Sequence, residues 1–274
     1  MTVQSSGLDA LVLRADVWGE NDVLLTLLSA EEGRFCAILK GAHKLNRFER
    51  APTEPFTWTS FDFYKKNDMR WVRSVTMKEA FPGIRLDMEK LFLAAYLADV
   101  AYELSGEHEP AGEILPLTLN ALHLLSEGKT EGRLIKAVFE MRAAAVSGYL
   151  PDLSACLRCG EPVGAEDACL DVMNGGLICS SCLHKNVQKM PLPEVNELGE
   201  RHVLCPLTAG AAAALSYVVN AEPKRVFAFQ LTDEASRDTF CRAAEAYLLH
   251  HLERGFLTLE NYKRIVAAPQ KYTL

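Results

Sequence analysis

No stretch of this chain is apolar for long enough to cross a bilayer as a helix. The nearest, residues 91–104, is interrupted by Asp99 and Glu103 and falls short of the ~20 residues a span needs. The opening MTVQSSGLDA lacks a basic segment followed by an apolar one, so no secretory leader is expected. Both absences point to a cytoplasmic protein, where thiols stay reduced, and the eight cysteines are then ligands or buried thiols rather than disulfides. Catalytic signatures are missing as well. There is no G-x-x-x-x-G-K-[ST] to cradle a triphosphate, no G-x-S-x-G and no H-E-x-x-H. The only H-x-E, His251-Leu252-Glu253, follows the cysteines, whereas a nucleobase deaminase carries it ahead of P-C-x-x-C. Internal repeats and low-complexity tracts are absent. The expectation is a non-enzymatic globular protein, and its 274 residues suggest more than one domain.

An excess of positive charge is also lacking: the formal net charge is −7. That excludes a protein that coats nucleic acid with all its surfaces, but salt screens fields beyond ~8–10 Å, so local faces act independently. Residues 1–32 carry −5, residues 33–50 carry +4 and residues 51–80 carry +1. The first 80 residues therefore balance, and residues 81–274 hold the whole −7.

The texture changes near Pro82. Before it, residues 8–15, 23–29, 34–40, 56–64 and 69–77 are short runs rich in β-formers, separated by turn signals. Five strands with one long connection, residues 41–55, after the third match the outline of an OB-fold barrel; an SH3-like barrel has a similar strand count. After Pro82, residues 89–104, 112–126 and 131–149 place apolar side chains three and four apart, as amphipathic helices do. Helical texture returns at 208–220, 232–254 and, more weakly, 258–266. The expected organisation is α+β multi-domain: an OB barrel over 1–80, a helical domain beginning over 81–150, a cysteine module over 151–193 and the C-terminal helical part over 194–274.

"CLRCGEPV" and "LICSSC" supply Cys156, Cys159, Cys179 and Cys182, a C-x2-C, nineteen-residue, C-x2-C pattern. Each two-residue spacer lets both sulfurs of a turn face one ion, and two such turns close a tetrahedron around Zn2+. Four thiolates leave no open position, so the metal is expected to be structural. His184 lies close by but is expected to be an exposed helix or turn residue. Cys36, Cys169, Cys205 and Cys241 are isolated and read as ordinary thiols.

The local cations gather in "LKGAHKLNRFERAP", where Lys40, Lys44, Arg47 and Arg50 face a single acid, Glu49. A second group, Lys65, Lys66, Arg70 and Arg73, falls in the hairpin of the last two strands, and Arg34 is a weaker candidate. Interleaved aromatics include Phe48, Trp58, Phe61, Phe63, Tyr64 and Trp71. Single-strand sites combine a basic groove with aromatic stacking platforms. Phe56, Trp58 and Phe61 are read as core, and Trp71 and Tyr64 as core or platform.

The chain resembles the DNA repair protein RecO family of bacterial recombination mediators. The resemblance rests on "ALVLRADVWGENDVLLTLLSAEEGRFCAILKGAHK", on the basic segment and aromatic strand after it, on "SGYLPDL" just before the cysteine pairs, and on the closing helix. It implies an N-terminal OB domain, a helical domain and a zinc module. It implies binding of single- and double-stranded DNA, annealing of complementary strands, and loading of RecA on strands coated with single-stranded-DNA-binding protein. RecR, possibly RecF, and the acidic C-terminal tail of single-stranded-DNA-binding protein are the implied partners, in the cytoplasm at the nucleoid. Two other readings stay open on the residues alone: a zinc-containing interaction adaptor with incidental DNA binding, and a zinc-dependent nuclease or deaminase.

Overall fold

A computed structural model describes residues 7–189 and 203–268; within these, the side chains of His43, Arg47, Phe48 and residues 185–189 lie outside the description. The chain forms two compact units, one of residues up to 130 together with those from 256 on, the other of residues 131–255. No helix among the described residues is long and apolar enough to cross a membrane.

The first unit opens with β1 (Leu8–Trp18), β2 (Asp22–Ser29) and β3 (Gly33–Leu39), then a short helix α1 (Arg47–Arg50), then β4 (Trp58–Lys66) and β5 (Met69–Glu79). The strands close a five-membered, OB-like barrel in the order β1-β2-β3-β5-β4. Closure rests on a parallel contact between β3 and β5 at Ile38 and Trp71, while the other pairs are antiparallel. Alternate residues fill the interior: Ala10, Val12, Leu25, Leu27, Phe35, Ala37 and Phe61 form one buried cluster. Phe61, within β4, and Phe56, just ahead of it, are buried as core residues, whereas Trp58, read as core too, is only half-buried.

The alternation in β1 is interrupted once. Val12 pairs with Leu27 but Arg14 pairs with Thr26, which leaves Leu13 as the extra residue of a β-bulge. Beyond the bulge, Ala15 and Val17 stand opposite Leu25 and Val23, on the inner face of the sheet, but both are exposed. Arg14 is turned outward instead. Its Nη2 donates to Asp99 Oδ1 at 2.7 Å, and its guanidinium lies 4.0 Å from the centroid of the Tyr102 ring.

Asp99 and Tyr102 belong to α2 (Met88–Leu104), which Asp87 caps by accepting from the Glu89 and Lys90 N–H groups. Two further helices, α3 (Ile114–Glu127) and α8 (Leu257–Ala267), complete this unit. Thr258 at the start of α8 donates to the second oxygen of Asp99 at 2.8 Å, so one carboxylate ties β1, α2 and α8 together.

The second unit holds α4 (Gly132–Val146), β6 (Asp152–Cys156), β7 (Ala168–Asp171), β8 (Gly176–Cys179), α5 (Ser180–Lys189), β9 (Leu204–Leu207), α6 (Ala209–Asn220) and α7 (Glu234–His251). Its four-stranded sheet runs β6-β8-β7-β9. The helices pack through a buried charge cluster in which Lys136 donates to Glu140 at 3.0 Å and to Glu245 at 2.8 Å. Arg142 reaches from α4 to the carbonyl of Val219 at 2.6 Å, near the end of α6, where helix carbonyls otherwise lack partners. The helical run expected over 81–150 is thus shared, with α2 and α3 in the first unit and α4 in the second.

Gly33 starts β3 at φ 61°, in the left-handed region. Residues 106–108 pair against it: Arg34 N–H donates to Gly106 O at 3.0 Å and His108 N–H to Arg34 O at 3.2 Å. A Cβ at position 33 would sit 1.8 Å from the Glu109 carbonyl oxygen. Gly33→Ala is therefore expected to cost about 2 kcal/mol or more, adding left-handed strain to a backbone collision, and urea unfolding measures it.

Candidate nucleic-acid interface and metal centre

The connection from β3 to β4 is built from short helical turns rather than open loop. Gly41 enters at φ 66° and its N–H is held by Asp22 Oδ1 at 2.8 Å. A 3-10 turn at Ala42–Lys44, then α1, then a second 3-10 turn at Ala51–Thr53 follow. Asn46 caps α1 by accepting from Glu49 N–H at 3.0 Å, and the Glu49 carboxylate accepts from Asn46 N–H at 3.0 Å. Glu49, the one acid of the basic stretch, is thus occupied with the backbone of Asn46. The thread back to the barrel is fixed by Thr57 and Thr59, whose hydroxyls both donate to the Pro52 carbonyl.

Lys40, Lys44 and Arg50 are exposed on this connection and have no ion pair among the described residues. The Arg47 side chain lies outside the described residues, as does that of Phe48. In the β4–β5 hairpin, Tyr64 and Trp71 are cross-strand partners with ring centroids 6.4 Å apart. Cations flank this pair on both sides: Lys66 Nζ lies 6.0 Å from the Trp71 ring, and the Arg73 guanidinium 5.9 Å from the Tyr64 ring. Exposed cations beside an aromatic pair are attracted weakly, by about 0.5–1 kcal/mol, so both remain open to an anion.

Three of the candidate cations are otherwise engaged. Arg34 has only 18% of its side chain exposed; it lies 3.9 Å from the Tyr102 ring centroid, donates to the Tyr102 carbonyl at 3.2 Å and pairs with Glu107. Arg70 is paired with Glu32 and stacks 4.7 Å from the Phe35 ring centroid. Lys65 pairs with Asp68 at 2.9 Å, though both are well exposed. The partners of Arg34 and Arg70 sit far away in sequence, so residue spacing gave no sign of them.

The second constellation is in the other unit. Cys156 ends β6, Cys159 lies in the turn after it, Cys179 ends β8 and Cys182 lies in the first turn of α5. Their four Sγ atoms all lie within 4.8 Å of one another. A tetrahedral ion with metal–sulfur bonds of ~2.3 Å spaces its sulfurs at about 3.8 Å, and Cys159 Sγ to Cys179 Sγ measures 3.8 Å. Burial alone would raise the Cys156 thiol, but backbone N–H groups at Cys179, Cys159 and Arg158 bring it down to about 6. Burial and the neighbouring sulfurs push Cys182 the other way, up to about 12. One thiolate forms readily and then opposes the rest; a divalent cation removes that opposition. The four residues therefore fit a closed, tetrahedral metal site.

His184 is exposed on α5 and stands outside the cluster. Of the isolated cysteines, Cys169 is buried, Cys36 is exposed, and Cys205 and Cys241 are intermediate. Sequence reasoning missed α5, whose apolar residues are sparse, and β9, which supplies only four residues.

Residues 3–81 match the family model described as Recombination protein O N terminal, and residues 85–196 match Recombination protein O C terminal. A relative named DNA repair protein RecO in Anaeromyxobacter sp. (strain K) is 33% identical over 249 residues, 90% of this chain and 91% of its own. The chain belongs to the RecO family. A RecO of Acetivibrio thermocellus is 29% identical over 255 residues, 93% of this chain and 95% of its own. One of Heliobacterium modesticaldum is 33% identical over 219 residues, 78% of this chain and 74% of its own. The two RecO matches fall on the barrel and on a stretch from Arg85 that takes in the cysteine cluster.

Cobalt(II) added to the reduced, metal-free protein is expected to give the strong visible absorption of a tetrahedral four-thiolate complex. Cys159→Ser weakens that band, and acidification abolishes it because protons compete for the thiolates. Unchanged absorption in the variant would show that the ion sits elsewhere.

Proposed function

We propose that this protein binds DNA through its barrel and acts without catalysis as a recombination mediator in DNA repair. The observation that carries the reading is the set of exposed cations on one barrel, Lys40, Lys44, Arg50, Lys66 and Arg73, with no ion pairs among the described residues. Arg47 belongs to the same track by sequence. Arg34, Lys65 and Arg70 contribute less, since they already have internal partners. The stacked Tyr64–Trp71 pair supplies an aromatic surface beside the track, suited to unstacked bases.

Neutralising several phosphates releases their counterions and reduces the repulsion between complementary strands. Two strands held this way with bases accessible can pair in register, and the step needs no nucleotide hydrolysis, in keeping with a sequence that has no P-loop. Annealing of complementary strands and delivery of RecA onto strands coated with single-stranded-DNA-binding protein follow as the expected activities of a family member. RecR, possibly RecF, and the acidic tail of single-stranded-DNA-binding protein are the corresponding partners. The four-cysteine site holds Zn2+ in a structural role, since four thiolates leave no position for water or substrate.

Single-strand affinity measured against salt tests the reading. Lys44→Glu and Lys66→Glu should each weaken binding and flatten the slope of log K against log salt by about one unit per lost contact. An unchanged slope in both variants would remove these residues from the track and leave the reading without its main support.

A further inference from the structure

One end of the barrel is left open beneath the basic connection. The bulge in β1 points Ala15 and Val17 inward, and with Val23, Leu39 and Phe56 they line a cavity of about 410 Å³ at whose edge Arg50 stands. The volume falls within the ~300–1,000 Å³ of small-molecule sites, which the mouths of barrels often form. The lining is mostly apolar and includes Leu91 of α2, with Thr53 and the paired Glu54 and Arg85 as its other polar members besides Arg50; Val17 is 72% exposed, so part of this surface is left uncovered.

Phe56 is held there at some cost. Its φ is 68°, a left-handed value that a bulky residue adopts only under constraint. The constraint is visible: Phe56 N–H donates to Val12 O at 2.8 Å, and Val12 N–H to Thr57 O at 2.9 Å. These bonds grip β1 beside the bulge and set an aromatic side chain into the wall of the mouth.

The charge at the rim selects the occupant. Arg85 is spent on the carbonyls of Ala80 and Pro55, each at 2.7 Å, and on Glu54 at 3.5 Å. Arg50 has no ion pair among the described residues, and Lys40 and Lys44 lie on the same connection. An apolar slot with an aromatic wall, beneath unpaired cations, suits a flat, weakly polar ring attached to an anionic chain. We infer that the barrel mouth receives an unstacked base of a single DNA strand whose phosphates run along the basic connection. The inference rests on the DNA-binding reading above and adds to it a pocket that discriminates single strands from duplex, whose paired bases cannot enter.

The test compares the full-length protein bound to an oligothymidylate and to a sugar–phosphate strand of equal length without bases, by fluorescence anisotropy at near-physiological salt. The unmodified protein should prefer the strand with bases by about tenfold, with equal salt slopes for the two. Ala15→Trp fills the mouth and should cut the preference to the smaller one that the Tyr64–Trp71 surface supplies, with the salt slope unchanged. Val17→Trp, at the exposed edge, should do so in part. Equal affinity of the unmodified protein for the two strands would overturn the inference without using any variant. So would an undiminished preference in Ala15→Trp, which would free the mouth for a protein ligand. A salt slope near zero would instead be a failure of the DNA-binding reading itself.

Discussion

One extra residue in β1 organises the first unit. The bulge at Leu13 changes which side chains of the strand face inward, and both outcomes are used. Outward, Arg14 reaches Asp99 and Tyr102 on α2, and Asp99 also takes the Thr258 hydroxyl of α8. Inward, Ala15 and Val17 leave one end of the barrel lined with small apolar groups and open. With an unbroken alternation, Arg14 would point into the barrel, where an unpaired guanidinium is expensive, and the helices would lose their anchor. Helix docking and the open mouth thus share one local cause.

The same economy governs the charges. Where the barrel meets its own helices, cations are consumed, Arg14 by Asp99 and Arg34 by Tyr102 and Glu107, and within the barrel Arg70 is consumed by Glu32. Where the chain passes over the open mouth, Lys40, Lys44 and Arg50 are not, because Glu49 caps α1 and Glu54 pairs with Arg85. A balanced segment therefore has a face of unsatisfied positive charge even though the protein carries a formal −7. Such a face attracts polyanions at the range of the local field, whatever the net charge of the remainder.

Much of this was legible in the sequence. Six of the helices follow from a period of 3.6, because each buries one face, and the five strands from runs of β-formers bounded by turn signals. Boundaries strayed where the backbone took an unusual turn. A strand expected from residue 56 begins at Trp58 because Phe56 is left-handed. A helix expected to reach residue 149 ends at Val146, just before Gly148 at φ 99°. The cysteine spacing announced a metal site, and the sulfurs do converge. The pairings of Arg34 and Arg70 were out of reach, because Tyr102, Glu107 and Glu32 come alongside only when the chain folds. The barrel mouth was hidden for a similar reason: its lining depends on a bulge that has no signature in "LVLRADV".

Hydrogen exchange with and without a bound single strand tests the central claim most directly. Slowed exchange is expected at residues 39–57 and 64–73, in the connection over the mouth and the β4–β5 hairpin, with little change in residues 152–179. Protection confined to the cysteine-bearing unit, with the barrel exchanging as in the free protein, would contradict it.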